Sequence, residues 1–216
     1  MVVKKDSFFS KPYVLLSLFL LILCVLSLWF VFSQISNLNV KMEKNDNYES
    51  NPTVVFDTNF GIIKLEVFLN ESPVTAGNFI NLVKTGFYDG VKFHRVINGF
   101  MIQSGDPLSK NDSLKSRWGT GGSENIEDEF ISGLSNVRGT IAMANTGKKN
   151  SGSSQFFINL VNNTGLDWDK EPLTSKHPVF GKVIEGMDVV DKIALVSTGS
   201  GNMPLNPVII QKAYID

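Results

Sequence analysis

A chain of 216 residues with 43% hydrophobic and 19% charged residues has the length for one domain plus an accessory segment and the composition of a folded protein. Its 20 Lys and Arg against 21 Asp and Glu give a net charge of −1, which excludes an electrostatic nucleic-acid binder with its basic face. One cysteine excludes an internal disulfide framework and a Cys-rich zinc site, and two histidines are too few for a multi-histidine metal centre.

Residues 1–12 carry Lys4, Lys5 and Lys11 and lead into a run, 13–32, without a charged residue. A helix of that length, at about 1.5 Å per residue, spans roughly 30 Å, one bilayer core. Tyr13 and Trp29 lie near its ends, where interfacial aromatic rings sit. Segment 13–32 is therefore predicted as a transmembrane signal-anchor. The rival is a cleaved signal, whose apolar part is usually about 7–15 residues, and here only Val31-Phe32-Ser33 offers a weak cleavage site. Cys24, with apolar residues following it, reads as a small lipid-facing residue. The next basic residue after the run is Lys41, so the positive-inside rule places 1–12 in the cytoplasm and the bulk of the chain outside. Residues 33–52 are polar and read as a linker, with Ile35, Leu38 and Met42 at helical spacing.

The folded domain is expected over 53–216. Segments 53–57 and 62–68, joined by a turn at Asn59 to Gly61, read as a β-hairpin. Ser72-Pro73 signals a helix start, with Ser72 as cap, and Ala76, Phe79, Ile80 and Val83 form its apolar stripe. Short apolar runs follow at 92–96, 99–103, 139–144, 155–160, 178–184 and 207–215. A second helix carries Met187, Val190 and Ile193 on one face. Many short strands, two helices and Gly-rich connections predict a mainly β fold, a closed antiparallel barrel with helices over its ends.

Conventional catalytic constellations are missing. There is no nucleophile elbow, no His-Glu-x-x-His zinc helix and no Walker loop, since Gly119-Thr120-Gly121-Gly122 lacks the following Lys. The acidic residues Glu124, Glu127, Asp128 and Glu129 read as a solvated surface in a Gly/Ser/Asn loop. No metal site is predicted.

What stands out is the run Phe93-His94-Arg95-Val96-Ile97-Asn98-Gly99-Phe100-Met101-Ile102-Gln103-Ser104-Gly105-Asp106. With Gly119-Thr120-Gly121-Gly122, Met143-Ala144-Asn145, Gly152-Ser153-Ser154-Gln155-Phe156-Phe157-Ile158 and Lys176-His177-Pro178-Val179-Phe180-Gly181, it resembles the cyclophilin family of peptidyl-prolyl isomerases across essentially all of 53–216. The blocks occur in the family's order, which overrides the ordinary reading of each: a surface Arg or Gln, alternating core aromatics, an Asn turn. The resemblance implies an eight-stranded antiparallel closed barrel capped by two helices. It also implies a peptidyl-prolyl cis–trans isomerase that uses no cofactor and no metal. Its partners are proline-containing segments of unfolded or folding proteins, here exported or membrane-associated ones. The alternative is a non-catalytic proline-peptide-binding chaperone or scaffold module on the same fold.

The residue types suit that chemistry. Amide resonance sets a barrier of about 18–20 kcal/mol to rotation about an X–Pro bond. A guanidinium donating toward the prolyl nitrogen favours its non-conjugated, pyramidal form. By resemblance that donor is Arg95, positioned by Gln103, with the Asn145 backbone gripping the residue before proline and Ala144 beside it. Phe100, Met101, Phe157 and Leu166 match the proline pocket and His177 its edge, while His94 reads as structural. Where many eukaryotic relatives carry a Trp, this chain has Gly165, and the longer loop after it supplies Trp168 as the nearest indole to take that place.

Overall fold

The computed structural model describes residues 50–171 and 176–216, with isolated helical positions at 20, 21, 23, 25 and 27. The chain divides into two units, Met1–Glu49 and Ser50–Asp216. Apart from those five positions the predicted anchor, 13–32, and most of the linker, 33–52, lie outside the described residues. Among the described residues no helix is long and apolar enough to cross a membrane.

The second unit begins with the expected hairpin. β1 (Thr53–Thr58) pairs antiparallel with β2 (Gly61–Val67), from Thr53 opposite Glu66 to Thr58 opposite Gly61. Thr58 Oγ donates to Gly61 O at 2.6 Å and accepts from Phe60 N at 3.1 Å, which locks the turn.

Helix α1 (Pro73–Lys84) starts where Ser72-Pro73 predicts, but its cap differs. Ser72 makes no side-chain cap and instead donates its hydroxyl to Glu129 Oε2 at 2.8 Å. Glu129 itself accepts from the free helix N–H groups of Val74 (3.1 Å) and Thr75 (2.9 Å). A carboxylate is the better partner there, because it meets both the unpaired N–H groups and the positive end of the helix dipole. Its neighbour Asp128 accepts from Asn150 N at 2.8 Å. Half of the acidic cluster expected to be solvated surface is thus internal bracing, and no cation-holding group occurs among the described residues.

The remaining elements are β3 (Arg95–Ile97), β4 (Met101–Ser104), β5 (Thr140–Met143), β6 (Phe156–Asn159), β7 (Val179–Glu185), α2 (Met187–Ala194) and β8 (Ile210–Ile215). They form one antiparallel eight-stranded sheet in the order β3-β4-β6-β5-β7-β2-β1-β8. The sheet curls but stays open, correcting the closed barrel expected from sequence. β3 spans only three residues, and the stretch before it meets the approach to β8 at a single bridge, Lys92 opposite Ile209. Phe93 N to Val208 O and Ile210 N to Val91 O, both 2.9 Å, stitch that seam. The Lys92 N–H is diverted to Ser109 Oγ at 2.9 Å. Across the sheet β1 lies between β2 and β8, and Asp216 N donates to Thr53 O at 2.9 Å.

Period-two alternation divides the strand residues between two faces. Val96, Ile102, Ile141, Met143, Phe156 and Ile158 belong to the main core with Phe56, Phe79, Tyr88 and Phe180. There Phe156 stacks on Phe56 at 5.5 Å and meets Phe79 edge-on at 5.7 Å. The alternate positions of the same strands are left for the opposite face.

Candidate active site

Four of those alternate positions fall in one row. Arg95 on β3 pairs with Gln103 on β4, Gln103 with Phe157 on β6, and Phe157 with Ala142 on β5. Met101 stands two residues from Gln103 and so shares its face. Met101, Ala142, Phe157 and Val179 form a second apolar cluster, against which Phe100, Ala144, Leu166 and Ile97 pack. Met101 and Phe157 are buried, while Phe100, Ala144 and Leu166 stay half-exposed. The sheet thus carries a covered apolar floor with an accessible rim.

The rim's far wall is fastened by polar groups. His177 packs its ring edge-on against Phe157, with centroids 5.2 Å apart, and its Nδ1 lies 3.0 Å from Met143 O. Burial holds its pKa below the ordinary histidine value, against the opposing carbonyl of Met143. His177 N donates to Leu166 O at 3.0 Å, which ties the two wall residues together. Beneath them the buried Asp167 carboxylate accepts from Asn136 N at 2.7 Å and from Asn136 Nδ2 at 3.0 Å. Asn136 Nδ2 also reaches His177 O at 3.1 Å. The Asn145 side chain is occupied differently: Nδ2 donates to Lys176 O at 2.6 Å and Oδ1 accepts from Gly147 N at 3.0 Å. Its side chain thus braces the loop between Gly147 and Lys176 and is not part of the apolar cluster.

At the open end, Arg95 Nη1 donates to Gln103 Oε1 at 3.2 Å. Gln103 Nε2 donates to Gln155 Oε1 at 3.0 Å, and Gln155 Nε2 donates to Gly119 O (3.0 Å) and Gly121 O (2.6 Å). Two backbone carbonyls can be satisfied only by the NH₂ end of Gln155, so its oxygen must face Gln103. That in turn leaves the Gln103 oxygen for the guanidinium. The loop bearing those carbonyls is itself held by the buried Asp106, whose Oδ2 accepts from Gly119 N and Gly121 N. A side chain at Gly121 would put a Cβ 2.3 Å from Asp106 Oδ1, so this approach needs glycine.

A cation fixed at one side of an apolar floor with an accessible rim suits a substrate that pairs an apolar ring with a nitrogen. The family model for "Cyclophilin type peptidyl-prolyl cis-trans isomerase/CLD" matches residues 53–215. This chain belongs to the cyclophilin-type peptidyl-prolyl cis–trans isomerases. It is 43% identical over 169 residues to peptidyl-prolyl cis-trans isomerase B of Escherichia coli, covering 75% of this chain and 98% of the relative. It is 39% identical over 164 residues to human peptidyl-prolyl cis-trans isomerase-like 1, covering 76% and 92%. A crystal structure of a Cryptosporidium parvum cyclophilin-type isomerase superposes with a TM-score of 0.67 at 30% identity, covering 76% of this chain and 97% of that one. A second crystal structure of that protein, obtained in the presence of the dipeptide Ala-Pro, gives 0.66 at 29% identity.

The structure of this cyclophilin adds Gln155 and Asp106 to the residues singled out from sequence. Gln155 lies just ahead of β6 and precedes Phe157 by two, and that spacing in extended backbone is the signal that puts both on one face. Asp106 before Pro107 signals only a local turn, which it caps by accepting from Leu108 N at 2.8 Å, whereas its partners Gly119 N and Gly121 N lie 13 and 15 residues away. Trp168 does not join the apolar cluster. It stacks on Phe130, with centroids 6.1 Å apart at 24°. A side chain at Gly165 would meet nothing within 4 Å, so the place of the missing indole stays open.

Proposed function

We propose that this isomerase is a membrane-tethered enzyme of the extracytoplasmic face that accelerates X–Pro rotation in exported or membrane-associated proteins. The observation that carries the catalytic part is Arg95, aimed by Gln103 beside the floor of Met101 and Phe157. The prolyl ring rests on Met101 and Phe157, rimmed by Phe100, Leu166 and His177, and the Ala144–Asn145 edge grips the residue before proline. Arg95 then donates toward the prolyl nitrogen as its lone pair leaves conjugation. No bond is made or broken, so positioning and one fixed positive charge carry the rate. The uncharged run 13–32, with Lys4, Lys5 and Lys11 ahead of it, supports the tether and its orientation.

Two measurements test the proposal. A coupled isomerisation assay on residues 53–216 should show turnover of a proline tetrapeptide; binding without turnover would favour the scaffold alternative. Protease added to intact spheroplasts should digest the domain while the full chain resists carbonate extraction. A soluble product starting near Gln34 would show instead that the segment is a cleaved signal.

A further inference from the structure

Beside Asn145 lies a cavity of about 460 Å³, walled by Phe130, Lys148, Lys149, Asn150 and Lys176. Its charge is one-sided. Three lysines line it against one acid, Asp128, which is already engaged by Asn150 N at 2.8 Å. None of the three lysines pairs with a carboxylate among the described residues. The turn that presents Lys148 and Lys149 is built before any ligand arrives. Ser151 Oγ donates to Lys148 O at 2.7 Å and accepts from Thr146 N at 3.1 Å, and Gly147 N is held by Asn145. The opposite wall is joined to it through Asn145 Nδ2 and Lys176 O.

Both walls of this cavity continue into the proline site. Asn145 follows the rim residue Ala144, and Lys176 precedes His177, which packs on Phe157. Extended peptide advances roughly 3.3 Å per residue, so a chain whose proline occupies the apolar floor reaches the cavity within a few residues. We propose that the cavity is a specificity site for acidic side chains, so that preferred clients carry Asp or Glu about two to four residues ahead of the proline. This rests on the peptide placement proposed above, in which the residue before proline lies along Ala144–Asn145.

The test compares proline tetrapeptides extended at the amino side with Glu, Gln or Lys, by turnover and by calorimetric binding. Wild type should prefer the Glu peptide over the Gln peptide by about 3- to 30-fold in kcat/KM at low salt. The gain should reside in KM, with Lys worst, and shrink at high ionic strength. The double variant Lys148→Gln/Lys149→Gln should lose that preference while turning over the Gln peptide as wild type does. Equal binding of Glu and Gln peptides by wild type, or a preference that survives in the double variant, overturns the proposal. A Gln peptide that binds but is not turned over would instead overturn the reading of Arg95, and the binding comparison would still decide this one.

Discussion

Arg95 owes its aim to neutral amides, and the consequences are measurable. Arg95→Ala should lower kcat/KM by one to three decades, roughly 1.4–4 kcal/mol of transition-state stabilisation, with Tm unchanged because the side chain is half-exposed. Arg95→Lys should recover little of this, since an ammonium lacks the planar fork. Gln155 acts on Arg95 through Gln103, its own amide nitrogen being anchored on Gly119 O and Gly121 O. Gln155→Leu should therefore lower kcat about tenfold in wild type and hardly at all in the Arg95→Ala background. That non-additivity separates positioning from a merely structural role, which would cost the same in both backgrounds.

At the level of elements, α1 depends on a residue from a distant loop. Glu129→Gln keeps the shape but removes the charge facing Val74 N and Thr75 N. Stability should fall by about 1–2 kcal/mol and Tm by several degrees, with activity at low temperature retained, as thermal unfolding followed by circular dichroism would show. This element also shows what a sequence conveys. Ser72-Pro73 marks the start of α1 because both signals are local, whereas its cap comes from 57 residues away and leaves no local trace. The hairpin and both helices are likewise readable from periodicity. Phe100, Met101 and Phe157 are less so: alternation places them on one face, yet a sheet covered on both sides gives two apolar faces, and only the family resemblance distinguishes the groove from the core. The open seam is invisible for a related reason. The run 92–96 has the composition of one strand, but Lys92 surrenders its N–H to Ser109 and the ladder to β4 begins at Arg95.

For the whole molecule, acid is the predicted weakness. His94 is buried. Burial, opposed by Asp106 and the Lys92 backbone and reinforced by Arg95, pushes its pKa down to about 4. Above the unfolded value of about 6.5 both states are neutral and nothing is lost. As pH falls from there toward 4 the unfolded chain takes up a proton that the folded one refuses, so stability declines, by up to about 3 kcal/mol. His177, also lowered, acts in the same direction. Urea midpoints from pH 7.5 to 4.5 should fall in wild type and fall distinctly less in His94→Gln. The placement of β1 between β2 and β8 bears on how the domain comes into being. A chain emerging in order presents β1 first, yet one flank of that strand waits for residues roughly 150 positions later. Folding cannot keep pace with emergence. Until β8 docks, an enzyme that helps other chains mature is itself an immature client with an unpaired edge, open to proteolysis and mispairing. A chain stopped after Pro207 should stay protease-sensitive however long it is incubated, and adding a peptide of 208–216 should restore resistance by filling the vacant flank.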